Sequence, residues 1–128
     1  MAAKSAISGE YIIQREESGS IVVYRIFDNV KGSLREISEL KGYEYDPKWN
    51  VRQFGRKLCN EFGDGKLAFV GDYVVRVLES GSIETYRTYD VTTQALREIA
   101  DKIGFEYDKD WTVRQFGSKL IDFVNENK

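Results

Sequence analysis

The chain has 128 residues, of which 41% are hydrophobic, 13% aromatic and 31% charged, with a single proline. That balance fills a compact core and argues against a disordered, collagen-like or membrane-spanning chain. Nineteen basic against 21 acidic side chains leave a net charge of -2, so no global positive field draws in a polyanion and any nucleic-acid site must be a local patch. With no histidine and one cysteine, Cys59, a histidine-based triad, a histidine-ligated metal, an intrachain disulfide and a multi-thiolate metal site are all excluded.

Shifting the chain by 62 residues superimposes residues 4–66 on 66–128 without a gap, with about 29 of 63 pairs identical. The expected organisation is therefore a tandem duplication, residues 1–65 and 66–128, joined through Gly63-Asp64-Gly65 and closely packed, as two units or as one compact domain, with the copies related by a pseudo-twofold axis that allows a shared core, hairpins joined edge to edge or a flanked groove. At about 62 residues, one copy alone is marginal in core size.

In chain order, Ala6-Ile7-Ser8 reads as a weak first strand, with Gly9 as a bend. Tyr11–Arg15 and Ile21–Phe27, rich in β-branched and aromatic residues around Ser18-Gly19-Ser20, predict an antiparallel hairpin. After Asp28 the apolar period lengthens to about 3.6, and Leu34, Ile37 and Leu40 mark a short amphipathic helix that Gly42 stops. A second helix starts at Asn50, which forms a capping box with Gln53, while Trp49 staples onto Phe54. Val51, Phe54, Leu58 and Phe62 form its apolar stripe. The second copy repeats this. Ala68-Phe69-Val70 is a short strand; Tyr73–Leu78 and Ile83–Tyr89 form the hairpin around Ser80-Gly81-Ser82. Leu96, Ile99, Ala100 and Ile103 mark the first helix, and Gly104 ends it. Thr112 with Gln115 is the second capping box, Trp111 staples onto Phe116, and Val113, Phe116, Leu120 and Val124 form the stripe. The fold class is α+β: a ββαα or βββαα unit used twice, its hairpins packed against helix pairs.

Candidate sites follow from the charges. Arg52, Arg56 and Lys57 on the second helix of the first copy, and Arg114 and Lys119 on its counterpart, stand where a helix entering a DNA major groove carries base and phosphate contacts; a solvated helix face is the ordinary account. Gln53 and Gln115 can reach an adenine edge, but their capping boxes already explain them. Arg25 and Arg87, interleaved with aromatics, can present a stacking surface for single-stranded nucleic acid, or pair with Glu16 or a neighbouring acid. Arg35 with Glu39 and Arg97 with Asp101 are helical ion pairs by spacing. Glu44-Tyr45-Asp46 and Glu106-Tyr107-Asp108 put carboxylates before a helix start, suited to acid–base work or a hard cation, or simply to the helix dipole. Cys59, adjoining an apolar stripe, reads as a buried small hydrophobe. Gly55 and Gly117, inside helices, imply close approach of a strand, the other helix or a partner.

The hairpin Glu17-Ser18-Gly19-Ser20-Ile21, the run Leu34-Arg35-Glu36-Ile37 and the helix Trp49–Leu58, with their second copies, resemble small one- or two-copy ββαα proteins of gut Bacteroidetes with no assigned function. That resemblance implies an α+β fold and no activity. The hairpin-plus-helix unit also looks like the arm-type DNA-binding domains of integrases, which are more basic and usually show one helix. No catalytic, cofactor or metal motif is present in the sequence, and Met1-Ala2-Ala3-Lys4-Ser5 and Asn125-Glu126-Asn127-Lys128 show neither a signal core nor a lipidation box. The expectation is a cytoplasmic, non-enzymatic interaction module without a cofactor, binding a protein partner or itself and no membrane. The alternative is a nucleic-acid binder using the basic faces of the second helices.

Overall fold

The computed structural model describes residues 4–127. Met1-Ala2-Ala3 and Lys128, which enter the reading of the termini above, lie outside the described residues. The elements are β1 (Lys4–Ser8), β2 (Tyr11–Arg15), β3 (Ile21–Ile26), α1 (Val30–Lys41), α2 (Val51–Phe62), β4 (Leu67–Val70), β5 (Tyr73–Val77), β6 (Ile83–Thr88), α3 (Thr92–Ile103) and α4 (Val113–Glu126). The protein is α+β, with strands hydrogen-bonded in the order β1-β2-β3 in one group and β6-β5-β4 in the other. The weak first strand of each half is a full member of its group. No helix among the described residues is long and apolar enough to cross a membrane.

The chain forms two compact units that cut across the sequence halves. The first joins the segment up to Arg25 to the segment from Thr88 onward; the second is Ile26–Arg87. Each unit takes its strands from one half and its helices from the other. The expectation that each hairpin carries its own helix pair is thus corrected. The physical reason is the connector. Only Phe27, Asp28 and Asn29 separate β3 from α1, and three residues span about 10 Å. Instead of turning back, the chain continues alongside β6, where the Phe27 N–H donates to the Thr85 carbonyl at 2.8 Å. Tyr89 does the same in the first unit, donating to the Val23 carbonyl at 2.8 Å.

In the first unit, β1 pairs antiparallel with β2, Ala6 opposite Ile13, and β2 with β3, Ile13 opposite Val23. This row meets Leu96, Ile99, Ala100, Phe116, Leu120 and Ile121 from α3 and α4 in one core. In the second unit Ala68 faces Val75 and Val75 faces Thr85; Ala68, Val70 and Val75 pack with Leu34, Ile37, Phe54, Leu58 and Cys59 of α1 and α2. Fully burying one such aliphatic side chain contributes about 1.5–3 kcal/mol. Tyr11-Ile12-Ile13 and Tyr73-Val74-Val75 are buried at every position, so the first three residues of β2 and of β5 are covered on both faces, which is why each strand opens on three successive hydrophobic residues.

The buried faces of the helices differ from the expected stripes by a rotation. In α2 and α4 the buried residues are Phe54, Gly55, Leu58, Cys59 and Phe116, Gly117, Leu120, Ile121. Val51, Phe62 and Val124 are only partly buried at the core margins, and Val113 is exposed. In α1 and α3, Leu40 is 66% and Ile103 37% exposed, while Ser33, Ser38, Ala95 and Ala100 are buried. Small side chains occupy the positions of closest approach. Ser38 is satisfied within its helix, its hydroxyl donating to the Leu34 carbonyl at 3.0 Å.

Gly42 and Gly104 cap α1 and α3 in the left-handed region, at φ 63° and 73°, as the sequence predicts. At the other end the two helices differ. Asn29 accepts from the Gly32 N–H at 3.2 Å, whereas Val91, with nearly the same backbone (φ -91°, ψ 71°), offers no cap and is 48% exposed. Val91→Asn is therefore expected to stabilise the protein by about 0.5–2 kcal/mol, seen as a raised denaturation midpoint with unchanged slope; a neutral or lowered midpoint refutes it.

Gly55 and Gly117 are explained by the strands. A Cβ at Gly117 would lie 2.6 Å from Cγ1 of Ile21, and one at Gly55 2.6 Å from Cδ1 of Ile83. Each isoleucine presents three carbons at this range, too stiff a group to step aside. Gly117→Ala should destabilise the fold even though alanine in a helix gains about 1 kcal/mol over glycine, and adding Ile21→Ala should recover part of the loss. A stabilised single variant in thermal melts would refute the contact.

Candidate functional site

The repeated charged residues are drawn to three places in each unit. The first is the hairpin turn. In the first unit Gly19 adopts φ 94°, and Arg114, near the start of α4, donates from Nη1 to the Ser18 carbonyl at 3.1 Å and from Nη2 to the Ser20 hydroxyl at 3.5 Å. In the second unit Gly81 adopts φ 92° and Arg52 Nη1 donates to the Ser80 carbonyl at 3.2 Å. The repeated Glu-Ser-Gly-Ser-Ile and Val-Arg-Gln motifs are thus two sides of one contact. Glycine is required for the positive φ.

A second guanidinium flanks each turn. In the first unit it is Arg15, at the end of β2, whose Nη1 donates to the Ser118 hydroxyl and whose buried Nε has no partner. Arg15, Glu17, Ser18, Gly19, Arg114 and Ser118 line an open depression of about 320 Å³ there. In the second unit it is Arg56, whose Nη2 lies 3.0 Å from where a Cβ on Gly81 would stand. The ion pairs among the described residues are Lys4–Asp122, Arg25–Glu10 and Arg76–Glu84. None involves Arg15, Arg52, Arg56 or Arg114, and the spacing-based pairs Arg35–Glu39 and Arg97–Asp101 are not among them either.

The second place is a tyrosine–glutamate contact beside an arginine. Tyr11 donates to Glu98 Oε2 at 2.5 Å, and Tyr73 donates to Glu36. Arg25 lies 6.0 Å and 5.7 Å from the ring centres of Tyr11 and Tyr89 and 3.8 Å from Glu10, not from Glu16. Arg87 sits likewise over Phe27 and Tyr73, at 5.6 Å and 5.9 Å. These arginines cover aromatic rings. Burial, then the bond to Glu98 and its negative charge, push the Tyr11 phenol up to about 12, against an opposing pull from Arg25. Tyr73 is raised for the corresponding reasons, led by burial.

The third place is the start of α2 and α4. Both capping boxes are formed: Gln53 N–H donates to Asn50 Oδ1 at 2.8 Å and Asn50 N–H to Gln53 Oε1 at 3.0 Å; the Thr112–Gln115 distances are 3.2 Å and 2.9 Å. The glutamines are structural. Trp49 and Trp111 meet Phe54 and Phe116 at 5.9 Å and 6.1 Å, and Lys57 and Lys119 lie over the indoles at 4.9 Å and 5.4 Å. Tyr45 and Tyr107, in the acidic loops, stack on Phe54 and Phe116 at 4.9 Å and 4.7 Å, a role the sequence pattern does not signal. Asp46 and Asp108 accept from the backbone N–H of Lys48 and Asp110 at 2.9 Å and 2.8 Å, closing a turn. No metal-holding cluster of three acids or thiols occurs among the described residues. Cys59 is fully buried, its thiol donating to the Val75 carbonyl at 3.4 Å, and burial pushes its pKa up to about 12; it is a core residue.

No family model, curated protein or solved structure matches the chain.

Tyr11 offers a direct check on the second contact. An unfolded tyrosine ionises near pH 10; held protonated to about 12 in the fold, its contribution to stability is complete below pH 10 and is lost as the pH rises from 10 to 12. Tyr11→Phe should therefore flatten the fall in stability over that window, and phenolate absorbance of the folded wild type should show a late-titrating fraction that the variant lacks in part. Titration of every tyrosine near pH 10 would refute this.

Proposed function

We propose that this protein is a non-enzymatic interaction module, two copies of one unit, whose binding surfaces are its arginine-flanked hairpin turns and whose partner is a protein segment rich in carboxylates. The observation that carries this reading is the pair of guanidinium groups at each turn, Arg15 with Arg114 and Arg52 with Arg56, none of them in an ion pair among the described residues. Arg114 and Arg52 are each held by a turn carbonyl, so little of their side-chain freedom is lost when a carboxylate docks, and arginine's planar fork suits a bidentate contact. Arg52, Arg56 and Arg114 are exposed. The nucleic-acid reading adds Lys57 and Lys119 to Arg52 and Arg114, and these two lysines lie over tryptophans.

Fluorescence anisotropy with a labelled glutamate-rich peptide, and separately with single- and double-stranded oligonucleotides, decides between them at low salt. The acidic peptide should bind, and Arg56→Ser, which copies the residue at 118 and breaks no hydrogen bond among the described residues, should weaken it several-fold and lower the salt dependence. Failure of the peptide to bind, or binding indifferent to Arg56, overturns the proposal, and tighter binding of an oligonucleotide favours the alternative.

A further inference from the structure

The exchange of helices between halves poses a question of specificity. The repeated contacts that join the strands of one half to the helices of the other are made by residues the two halves share. Tyr11 meets Glu98 and Tyr73 meets Glu36; the turn at Ser18 meets Arg114 and that at Ser80 meets Arg52; Ile21 fits against Gly117 and Ile83 against Gly55. Because these partners are identical in both halves, they would form equally well if each half packed on itself. They hold the units together without choosing which helices go where.

Other strand-to-helix contacts differ between the halves, such as Lys4 with Asp122, whose counterparts are Lys66 and Asn60, and one of them sets a cation against a different partner in each unit. In the first unit the strand end is Arg15 and the facing helix position is Ser118, joined by a hydrogen bond from Nη1. The residues 62 positions away are Val77 and Arg56. Val77 packs against the core of the second unit, and the second guanidinium at that turn comes from the helix instead, Arg56 reaching to Gly81. Each unit thus combines one long cation with one small or apolar residue. Packing each half on itself would set Arg15 against Arg56, two like charges at one partly buried spot, and Val77 against Ser118, which leaves the space of a guanidinium unfilled and takes from Arg15 its acceptor. Like charges brought together are disfavoured and an unfilled contact loses dispersion energy.

We propose that the pairs Arg15–Ser118 and Val77–Arg56 are determinants that help direct the helices of each half onto the strands of the other. The proposal is independent of what the turns bind. Two departures from the internal repeat thereby become an interaction specificity.

Double-mutant cycles in the full-length chain test it, read as thermal midpoints. Ser118→Arg should lower the midpoint by several degrees by placing a second guanidinium beside Arg15, and Arg15→Val in the same chain should restore most of the loss, since it recreates the Val77–Arg56 combination. Arg15→Val and Arg56→Ser should be additive. If Ser118→Arg yields only insoluble protein, recovery of soluble folded protein on adding Arg15→Val supports the proposal equally, and continued insolubility of the double variant counts against it. Additivity of the substitutions at 15 and 118, or coupling between 15 and 56, overturns the proposal.

Discussion

The architecture depends on the path of a three-residue connector. Between the end of β3 and the start of α1, Phe27 continues the strand and Asp28 and Asn29 lead into the helix. The backbone bond from Phe27 to Thr85 places the chain beside the strands of the other half before the helix begins. α1 then lies where Glu36 meets Tyr73, and Gly42 turns the chain so that α2 completes the same core. The connector Tyr89-Asp90-Val91 imposes the same consequence on α3 and α4 through the Tyr89–Val23 bond. Two short linkers, identical in length, carry the chain across to the core that each helix serves.

This changes what identity within the chain means. Residues that recur at a spacing of 62 invite a reading as a repeated functional surface, and Arg25, Arg52, Lys57 and their counterparts stand out for that reason. In the structure most of them serve the fold: arginines on turn carbonyls or aromatic rings, lysines over indoles, glutamines in caps. A residue that must fit its partner in both units is held by two constraints at once, so the repeated positions report the mating of strands with helices before anything else.

What is legible in the sequence is what is encoded over a few residues. The hairpins with their serine–glycine turns, both capping boxes, the tryptophan staples and the glycine caps are each decided by chain geometry within about one helical turn, and all are present. The helix partners are not legible, because an apolar stripe specifies a face and not the sheet it meets. Nor are the limits of the stripes: Leu40 and Ile103 have the right spacing but lie in last turns that run past the sheet, while Ser33 and Ser38 are buried because α1 needs small residues there. The glycines inside α2 and α4 do carry a long-range signal, an unexplained cost in helix propensity, and the strand isoleucines account for it.

Where the halves differ, the constraint of mating is lifted, and function has room to reside. The turn of the second unit receives both guanidiniums from α2, one turn of helix apart, and Arg56 makes no hydrogen bond among the described residues in doing so. The turn of the first unit divides the task between a strand and a helix, and Arg15 is committed to Ser118 while its Nε stays unpaired. The two surfaces are therefore unequal: one offers exposed cations on a single rigid helix, the other a partly buried cation inside a depression. A partner with separated carboxylates fits the second unit at less cost in desolvation, because Arg52 and Arg56 are both exposed.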